Sequence, residues 1–259
     1  MPYLQTADAE IYYNDDSRSG PVIVLMHGAA GNSDCWIQQL PVFQDAGFRV
    51  IIYDLRGFGR TRSAPGQDAS GSMAADLHDL AQGLGLPRFS LVAQAYGGFG
   101  ALEFAVDEPE SLDALVVSTS FGGLTDPEYT ALRSRHVPAD LNSRPVEERE
   151  LGATYRATNP EGVRKFLEME AGSYRGDGSR QSLRQPMTLE RVATIRVPTL
   201  IIAADEDLYA PPPVMRAFAE RIPGARFEVI EKAGHCAYWE QPEVWNTLVL
   251  DFLRQTLGT

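Results

Sequence analysis

Short, mostly apolar runs alternate along the chain with longer stretches in which apolar residues recur every three or four positions. Apolar runs rich in β-branched residues are typical of parallel strands buried on both faces, and here they cover residues 22–26, 49–53, 89–93, 112–117, 199–203 and 227–230. The helical spacing covers residues 33–44, 72–84, 96–106, 213–221 and 244–257. Residues 3–6 and 10–14 instead alternate between apolar and polar, which predicts an antiparallel hairpin at a sheet edge.

This alternation of strands and helices predicts an α/β fold with a mostly parallel eight-stranded sheet and helices on both faces. Residues 122–191 interrupt it, because they are polar, rich in charge and without a strand signal. Helices are expected within that stretch at 127–135, 146–157, 160–170 and 179–185. We therefore expect a core domain of residues 1–121 and 192–259, with a helical cap of residues 122–191 inserted after the sixth strand.

Composition narrows the classes of partner. The net charge of −12 argues against nucleic acid and anionic membranes. No apolar run approaches the ~18 residues of a membrane span, and the first residues lack the pattern of a signal peptide, so a cytoplasmic protein is expected. Cys35 and Cys236 are too few for a disulfide framework, and no His, Cys and carboxylate cluster has metal-ligand spacing. We expect no metal or cofactor, and a monomer or homodimer.

The predicted strand at residues 89–93 runs into a tight turn and then into a helix. Residues 89–100 read Phe-Ser-Leu-Val-Ala-Gln-Ala-Tyr-Gly-Gly-Phe-Gly. A strand, a sharp turn and a helix with the pattern small-x-Ser-x-Gly form a nucleophile elbow, which presents a serine hydroxyl at the end of the strand. Ala93 and Gly97 occupy the small positions, and Ala95 stands at the position of the serine. Since alanine has no oxygen, the chain carries the layout of the elbow without its nucleophile.

Further motifs resemble those of the α/β-hydrolase superfamily, and the resemblance covers nearly the whole chain. His27-Gly28, after the first parallel strand, resembles the family's oxyanion loop, and residues 54–59 resemble its Asp-x-Arg-Gly-x-Gly segment. Residues 203–207 lie where the family's acid follows a strand, and Gly234-His235 lies where its catalytic histidine follows the last strand. The order of elbow, acid and histidine is that of the family.

The resemblance implies a catalytic site formed by the Ala95 position, His235 and Asp207. His235 would act as general base, and Asp207 would hold its tautomer and stabilise the imidazolium. The backbone N–H groups of Ala29 and Tyr96 would form the oxyanion hole. Asp205 and Glu206 compete with Asp207 for the role of the acid, but the family spacing favours Asp207.

Several other residues are candidates for contact with substrate. Around the reaction centre these are His27, as organiser of the oxyanion loop, Gly28 and Trp239. In the cap, inward-facing apolar residues are expected to wall the pocket or to fill the cap's own core, the candidates being Tyr155, Phe166, Leu167, Met169, Tyr174 and Met187. A clamp for a substrate carboxylate is an open alternative at Arg175, Arg180 or Arg184. Cys236, beside the histidine, is expected to be a buried thiol rather than a second nucleophile.

Three hypotheses account for Ala95. The first is a serine-type hydrolase in an inactive Ser-to-Ala form, whose parent activity is hydrolysis of a small, fairly apolar ester, lactone or C–C bond next to a carbonyl. The second is a natural serine-independent enzyme that uses the His235–Asp207 pair, as a lyase, as a cyclase or to activate water. The third is a non-catalytic ligand binder on the same fold. Each takes a small molecule as its partner.

Overall fold

The computed structural model describes residues 3–258; residues 1, 2 and 259 of the expected core domain lie outside this range. The strands in the described range are β1 (Tyr3–Gln5), β2 (Ala9–Asp15), β3 (Val22–Met26), β4 (Arg49–Tyr53), β5 (Arg62–Ser63), β6 (Phe89–Gln94), β7 (Leu112–Ser118), β8 (Thr199–Ala204) and β9 (Arg226–Ile230). None of the helices in that range is long and apolar enough to cross a bilayer.

The strands form one sheet in the order β1-β2-β4-β3-β6-β7-β8-β9, with β5 paired to β2. From β4 through β9 every neighbouring pair is parallel, whereas β2 pairs antiparallel with β1, β4 and β5. The predicted mostly parallel sheet and its edge hairpin are therefore confirmed. The sheet has one strand more than the eight predicted, because β5 is two residues long and carries no apolar run.

The α-helices are α1 (Leu40–Asp45), α2 (Met73–Gly83), α3 (Gly97–Asp107), α4 (Pro127–His136), α5 (Val146–Glu150), α6 (Ala153–Thr158), α7 (Pro160–Ala171), α8 (Leu189–Val192), α9 (Pro212–Ala219), α10 (Ala237–Glu240) and α11 (Pro242–Leu257). The helix predicted at 33–44 is a 3₁₀ helix, Ser33–Gln38, followed by α1, which begins at a proline. The helix predicted at 146–157 is broken into α5 and α6 by extended backbone at Leu151 and Gly152.

The helix predicted at 179–185 is absent, since no residue of that stretch is helical. Its polar groups bind side chains and carbonyls of the core instead of one another. The backbone N–H of Arg184 donates to Oε1 of Glu103 (2.6 Å), and the side chain of Gln181 donates to Asp76 (2.8 Å). Over residues 179–185, hydrogen bonds to distant residues therefore determine the backbone conformation in place of the local helix propensity.

Apolar side chains cover both faces of the sheet. Along β3, Val24 and Met26 belong to one buried cluster and Ile23 and Leu25 to the other, as the two-residue period of a strand requires. Helices α2, α3, α8 and α9 contribute to the first cluster, and α1, α10 and α11 to the second. The predicted helices on both faces are thus confirmed.

Residues 122–191, here called the helical segment, connect β7 to β8 over the edge where the parallel strands end. They carry α4 to α7 and the start of α8, and in the described structure no strand. Beyond the hydrogen bonds of residues 179–185, its contacts with the core include two more. Its backbone pairs with the 54–59 loop, where Gly59 N–H donates to Ser173 O (2.8 Å). Its α5–α6 junction lies against the loops that carry Asp207 and His235, where Gly152 N–H donates to Glu240 (2.8 Å).

Candidate active site

The turn between β6 and α3 holds Ala95 in a left-handed backbone conformation, with φ of 48°. This region is uncommon for residues other than glycine and costs free energy unless neighbouring contacts enforce it. Here Ala95 N–H donates to Ser118 O (3.0 Å), and Gly98 N–H donates back to Ala95 O (3.0 Å). The side chain of Ala95 is 6% exposed and lines a cavity. The sharp strand–turn–helix geometry expected at this position is present.

The loop after β3 approaches this turn so closely that glycine is needed on both sides. A Cβ atom on Gly97 would lie 2.7 Å from the carbonyl oxygens of Met26 and His27. A Cβ atom on Gly28 would lie 2.9 Å from the Cβ atom of Ala95. Neither the carbonyl oxygens nor a Cβ atom can rotate aside as the end of a long side chain can, so the two glycines permit the close approach of the loop to the turn.

Two backbone amides at this junction belong to residues that line the cavity. Ala29 and Tyr96 both line it, and neither of their N–H groups has a hydrogen-bond acceptor within residues 3–258. One belongs to the loop after β3 and the other to the residue that follows Ala95. They are the two amides that the sequence predicted for an oxyanion hole, and the fold brings them together.

His27 supports this loop from behind. Its Nε2 accepts from Leu55 N–H (3.0 Å), so the ring proton is on Nδ1, which donates to Gly28 O (2.8 Å). Burial lowers the pKa of His27, although the charge of Asp54 opposes this, and the ring is therefore neutral. The imidazole is fully buried and does not line the cavity, so its expected place among the substrate contacts is corrected to a supporting role.

His235 follows β9 and contacts Asp207, which follows β8. Its Nδ1 lies 3.0 Å from each carboxylate oxygen of Asp207. Oδ1 of Asp207 also accepts from the backbone N–H groups of Tyr209 (2.8 Å) and Ala210 (3.2 Å), which hold the buried carboxylate in place. The proton on Nδ1 therefore faces the acid, and Nε2 keeps its lone pair.

The surroundings of His235 act on its basicity in opposite directions. Burial by itself lowers the pKa of the imidazole, but the charge of Asp207 and the hydrogen bond to it raise the pKa, with smaller contributions from Glu150 and Glu240. The net effect is a pKa above the ordinary value of a histidine. This arrangement stabilises an imidazolium and suits a group that accepts a proton during a reaction.

Asp205 and Glu206, the two alternatives to Asp207, make hydrogen bonds to other residues. Asp205 is exposed, and its carboxylate accepts from Ala233 N–H at 3.4 Å. Glu206 accepts from the backbone N–H of Thr154 (2.8 Å) and from the same residue's hydroxyl. Asp207 is thus the carboxylate that contacts the histidine.

A cavity of about 430 Å³ joins these groups. Its lining includes Ala95, His235 and both candidate amides, together with side chains from the helical segment. Five lining residues carry a guanidinium or a carboxyl group, namely Arg133, Arg149, Glu150, Glu170 and Arg180. Tyr209 also lines it, with its ring centroid 4.5 Å from that of His235. The cavity is more polar than the sequence led us to expect.

The apolar residues expected to contact substrate lie elsewhere, and this expectation is corrected. Met187 is fully buried in the cluster beneath α3, with its backbone paired to Leu124. Tyr174 packs edge-on against Phe58 (5.1 Å between ring centroids), and its hydroxyl donates to Ser179 O. Trp239 packs against Phe166 and borders a different surface pocket.

The remaining cap candidates fill a hydrophobic core, as the alternative interpretation of the sequence had it. Phe166 and Tyr155 are buried in the cluster on the α11 face of the sheet, and Leu167 and Met169 pack against it. These four side chains are absent from the cavity lining. Periodicity identified them as inward-facing but could not show which inner surface they face.

Of the three arginines considered for a clamp, the structure brings only Arg180 to the cavity. Arg184 is paired with Asp107 (2.8 Å), and Arg175 borders other surface pockets. Cys236 is 1% exposed, and burial followed by the charge of Glu150 raises the pKa of its thiol well above the usual range. The expectation of an inert buried thiol agrees with this environment.

Sequence reasoning missed the polar residues that the helical segment contributes. Arg133, Arg149, Glu150 and Glu170 line the cavity, but in the sequence they are charged positions on helices. A charge that faces an internal cavity and one that faces solvent have the same periodicity. The positions of charged residues in the sequence therefore could not show which of them line the cavity.

The chain is similar to hydrolases over nearly all of its length. A family model described as alpha/beta hydrolase fold matches residues 21–242. The 2-hydroxy-6-oxononadienedioate/2-hydroxy-6-oxononatrienedioate hydrolase of a Pseudomonas species is 26% identical over an alignment of 273 positions, which covers 95% of this chain and 92% of that protein. The 2-hydroxy-6-oxo-6-phenylhexa-2,4-dienoate hydrolase of Comamonas testosteroni is 27% identical over an alignment of 275 positions, which covers 96% of this chain and 93% of that protein. A thermophilic esterase from Thermogutta terrifontis, solved with malate bound, has a TM-score of 0.80 at 28% identity, covering 96% of this chain and 94% of that one.

Proposed function

The chain belongs to the α/β-hydrolase fold family, and from that premise we propose that its cavity is the acyl-transfer site of a serine-type hydrolase in which Ala95 occupies the nucleophile position. The parent activity is hydrolysis of a small ester, lactone or C–C bond next to a carbonyl. The relatives support this range, since they are named as oxo-dienoate hydrolases and an esterase. With alanine at the turn, the chain itself is inactive or strongly impaired.

In the proposed mechanism a serine hydroxyl at position 95 attacks the substrate carbonyl. His235 takes the hydroxyl proton on Nε2, while Asp207 holds the Nδ1 proton and balances the charge of the imidazolium. The N–H groups of Ala29 and Tyr96 stabilise the negative charge that develops on the carbonyl oxygen. His235 then returns the proton to the leaving group, and water releases the acyl group by the same steps.

The observation that carries this proposal is the backbone of Ala95. A left-handed conformation is strained for alanine, and at a turn between a strand and a helix it supports a position that presents a side chain to the cavity. His235 and the two residues whose amides have no acceptor in the described structure line the same cavity as that side chain, and Asp207 contacts His235. Binding of a ligand alone does not require a strained turn, a His–Asp pair and unpaired amides in one cavity, so the combination favours a hydrolase over a non-catalytic binder.

The helical segment is proposed to be the cap of this site. Six residues of the cavity lining come from it, namely Arg133, Asn142, Arg149, Glu150, Glu170 and Arg180. Their positions support a cap that shapes the substrate pocket with polar side chains. Its apolar residues contribute to the common core instead.

A second candidate is serine-independent chemistry by the His235–Asp207 pair. It is favoured by the carboxyl group of Glu170, whose pKa is raised by burial and then by the charge of Glu150. Such a group can supply a proton in a cavity where His235 activates water. Turnover by the unmodified chain that disappears on His235→Ala would favour this candidate, whereas an inactive unmodified chain favours the first.

The direct experiment is Ala95→Ser assayed with p-nitrophenyl acetate, a small neutral ester. On this proposal the base, the acid and the amides lack only the nucleophile, so we expect hydrolysis well above that of the unmodified chain. Removal of a serine nucleophile costs about 10⁶ in kcat, which sets the scale of the expected gain. The double variant Ala95→Ser/His235→Ala is the matched control and should fall back to background. Failure of Ala95→Ser to gain activity on any ester, lactone or 1,3-diketone tested would contradict the proposal.

A further inference from the structure

Arg133 lines the cavity from α4 without an ion pair. Within residues 3–258 no carboxylate lies within 4 Å of its guanidinium, and its buried Nε has no hydrogen-bond acceptor. Other arginines of the helical segment, such as Arg144 and Arg164, are paired with neighbouring carboxylates. Partial burial of an unpaired cation costs free energy of folding, and a bound anion would offset that cost.

The protein itself satisfies only one side of this guanidinium. The group lies over the ring of Phe121, 4.0 Å from the ring centroid, a cation–π contact that covers one face of its plane. Burial lowers the pKa of Arg133, and the charge of Asp207 opposes this in part, whereas neither glutamate of the cavity does. The N–H donors along the edge of the group remain available.

The other two arginines of the cavity have different surroundings. Arg149 also keeps a buried Nε without an acceptor, but it lies close enough to Glu170 to lower the pKa of that carboxyl, and its Nη1 donates to the hydroxyl of Tyr209 (3.3 Å). Arg180 is exposed, with its guanidinium between aromatic rings at 5.5 Å or more. Among these three arginines, Arg133 is the partly buried one whose guanidinium makes neither an ion pair nor a hydrogen bond within the described residues.

We propose that Arg133 anchors an anion subsite that binds a carboxylate group of the substrate while the reacting carbonyl lies at Ala95. The proposal rests on the function proposed for this cavity and narrows the substrate class to acids that carry a second, hydrolysable carbonyl group. A carboxylate matches the planar edge of a guanidinium with paired hydrogen bonds. Arg133 and Tyr209 line the same cavity, and the ring centroid of Tyr209 lies 4.5 Å from that of His235, so the subsite opens onto the cavity that holds the reacting groups.

The test is equilibrium binding to the unmodified chain, in which Ala95 prevents turnover. The probes are the monomethyl esters of succinic, glutaric and adipic acid, each compared by calorimetry with its neutral dimethyl ester. We expect at least one monoacid to bind roughly ten- to hundredfold more tightly than its diester, the size of a hydrogen-bonded charge contact. Arg133→Gln should abolish this preference, and Arg133→Lys should retain part of it.

Arg135→Gln is the matched control, because Arg135 is exposed on the same helix and lies outside the cavity lining. It should bind the monoacids as the unmodified chain does. Circular dichroism and thermal unfolding establish that each variant is folded. Equal binding of acid and diester, no binding of any monoacid, or an acid preference that survives Arg133→Gln would each overturn the proposal. An equal loss of both ligands would assign Arg133 a purely structural role and overturn it as well.

The binding experiment tests the anion subsite separately from the proposed hydrolytic function, because it needs no nucleophile. Hydrolysis of p-nitrophenyl acetate by Ala95→Ser tests the proposed function with a substrate that has no carboxylate. A hydrolytic Ala95→Ser variant without an Arg133-dependent preference would refute the subsite alone. A preference that depends on Arg133, combined with an inactive Ala95→Ser variant, would refute the proposed function alone.

Discussion

Glu240 joins the loop that carries His235 to the helical segment, and its protonation should control part of the pH dependence of stability. Its buried carboxylate accepts from Gly234 N–H at 3.0 Å and from Gly152 N–H at 2.8 Å. Gly234 directly precedes His235, and Gly152 lies at the α5–α6 junction. Burial raises the pKa of Glu240 to about 7, although these two hydrogen bonds lower it.

The size and sign of the effect follow from the two pKa values. The folded carboxyl titrates near 7, against an ordinary value of 4.5 in the unfolded chain, and this difference is worth about 3 kcal/mol. Between those values the folded state holds a proton that the unfolded state has lost, so the free energy of unfolding falls as pH rises. The contribution of Glu240 is fully present below its unfolded pKa and is lost as pH rises through about 7.

The assay is urea unfolding of the unmodified chain and of Glu240→Gln at about pH 5 and about pH 8. Glutamine keeps an acceptor oxygen for both backbone N–H groups but cannot titrate. On going to the higher pH, the variant should lose about 2.5 kcal/mol less stability than the unmodified chain does, since titration is incomplete at both ends of this range. Glu243→Gln, an exposed carboxylate at the start of α11, is the control and should follow the unmodified chain. The same loss of stability in Glu240→Gln and in the unmodified chain would refute the reasoning.

Two further predictions concern buried carboxylates. In the Ala95→Ser background, Asp207→Asn should lower kcat for p-nitrophenyl acetate by about 10⁴, since His235 loses the partner that sets its tautomer; a drop below tenfold would contradict this role. Asp76→Ala should cost about 3–5 kcal/mol in urea unfolding, because Asp76 forms a buried pair with Arg56 (2.6 Å) and its loss leaves that guanidinium without its buried partner. A cost under about 1 kcal/mol would show that Asp8 or water replaces it.

The strands and the turn that position the site could be predicted from sequence because each depends on local pattern. The apolar runs of β3 and β6 need no tertiary information, and Gly97 and Gly28 mark the close approach of backbone at the turn. The position of Ala95 follows from its spacing between a strand and a helix. His235 and Asp207 follow the ends of neighbouring parallel strands, so a parallel sheet brings them together.

The lining of the cavity could not be predicted, because it depends on how a long insertion folds back over the sheet. Met187 and Phe166 have the apolar character of pocket residues but pack into the core clusters. Arg133 and Glu150 have the character of surface residues but face the cavity. The stretch at 179–185 shows the same limit, since its hydrogen bonds to distant side chains decide its structure.

The most direct test of the central claim is covalent labelling by a fluorophosphonate, which reacts with a serine only where the base and the oxyanion hole are in place. We predict that the unmodified chain is not labelled, that Ala95→Ser is labelled at position 95, and that Ala95→Ser/His235→Ala is not. Mass spectrometry of the digested protein locates the adduct. A folded Ala95→Ser variant that resists the reagent, or one whose labelling is unchanged by His235→Ala, would contradict the account.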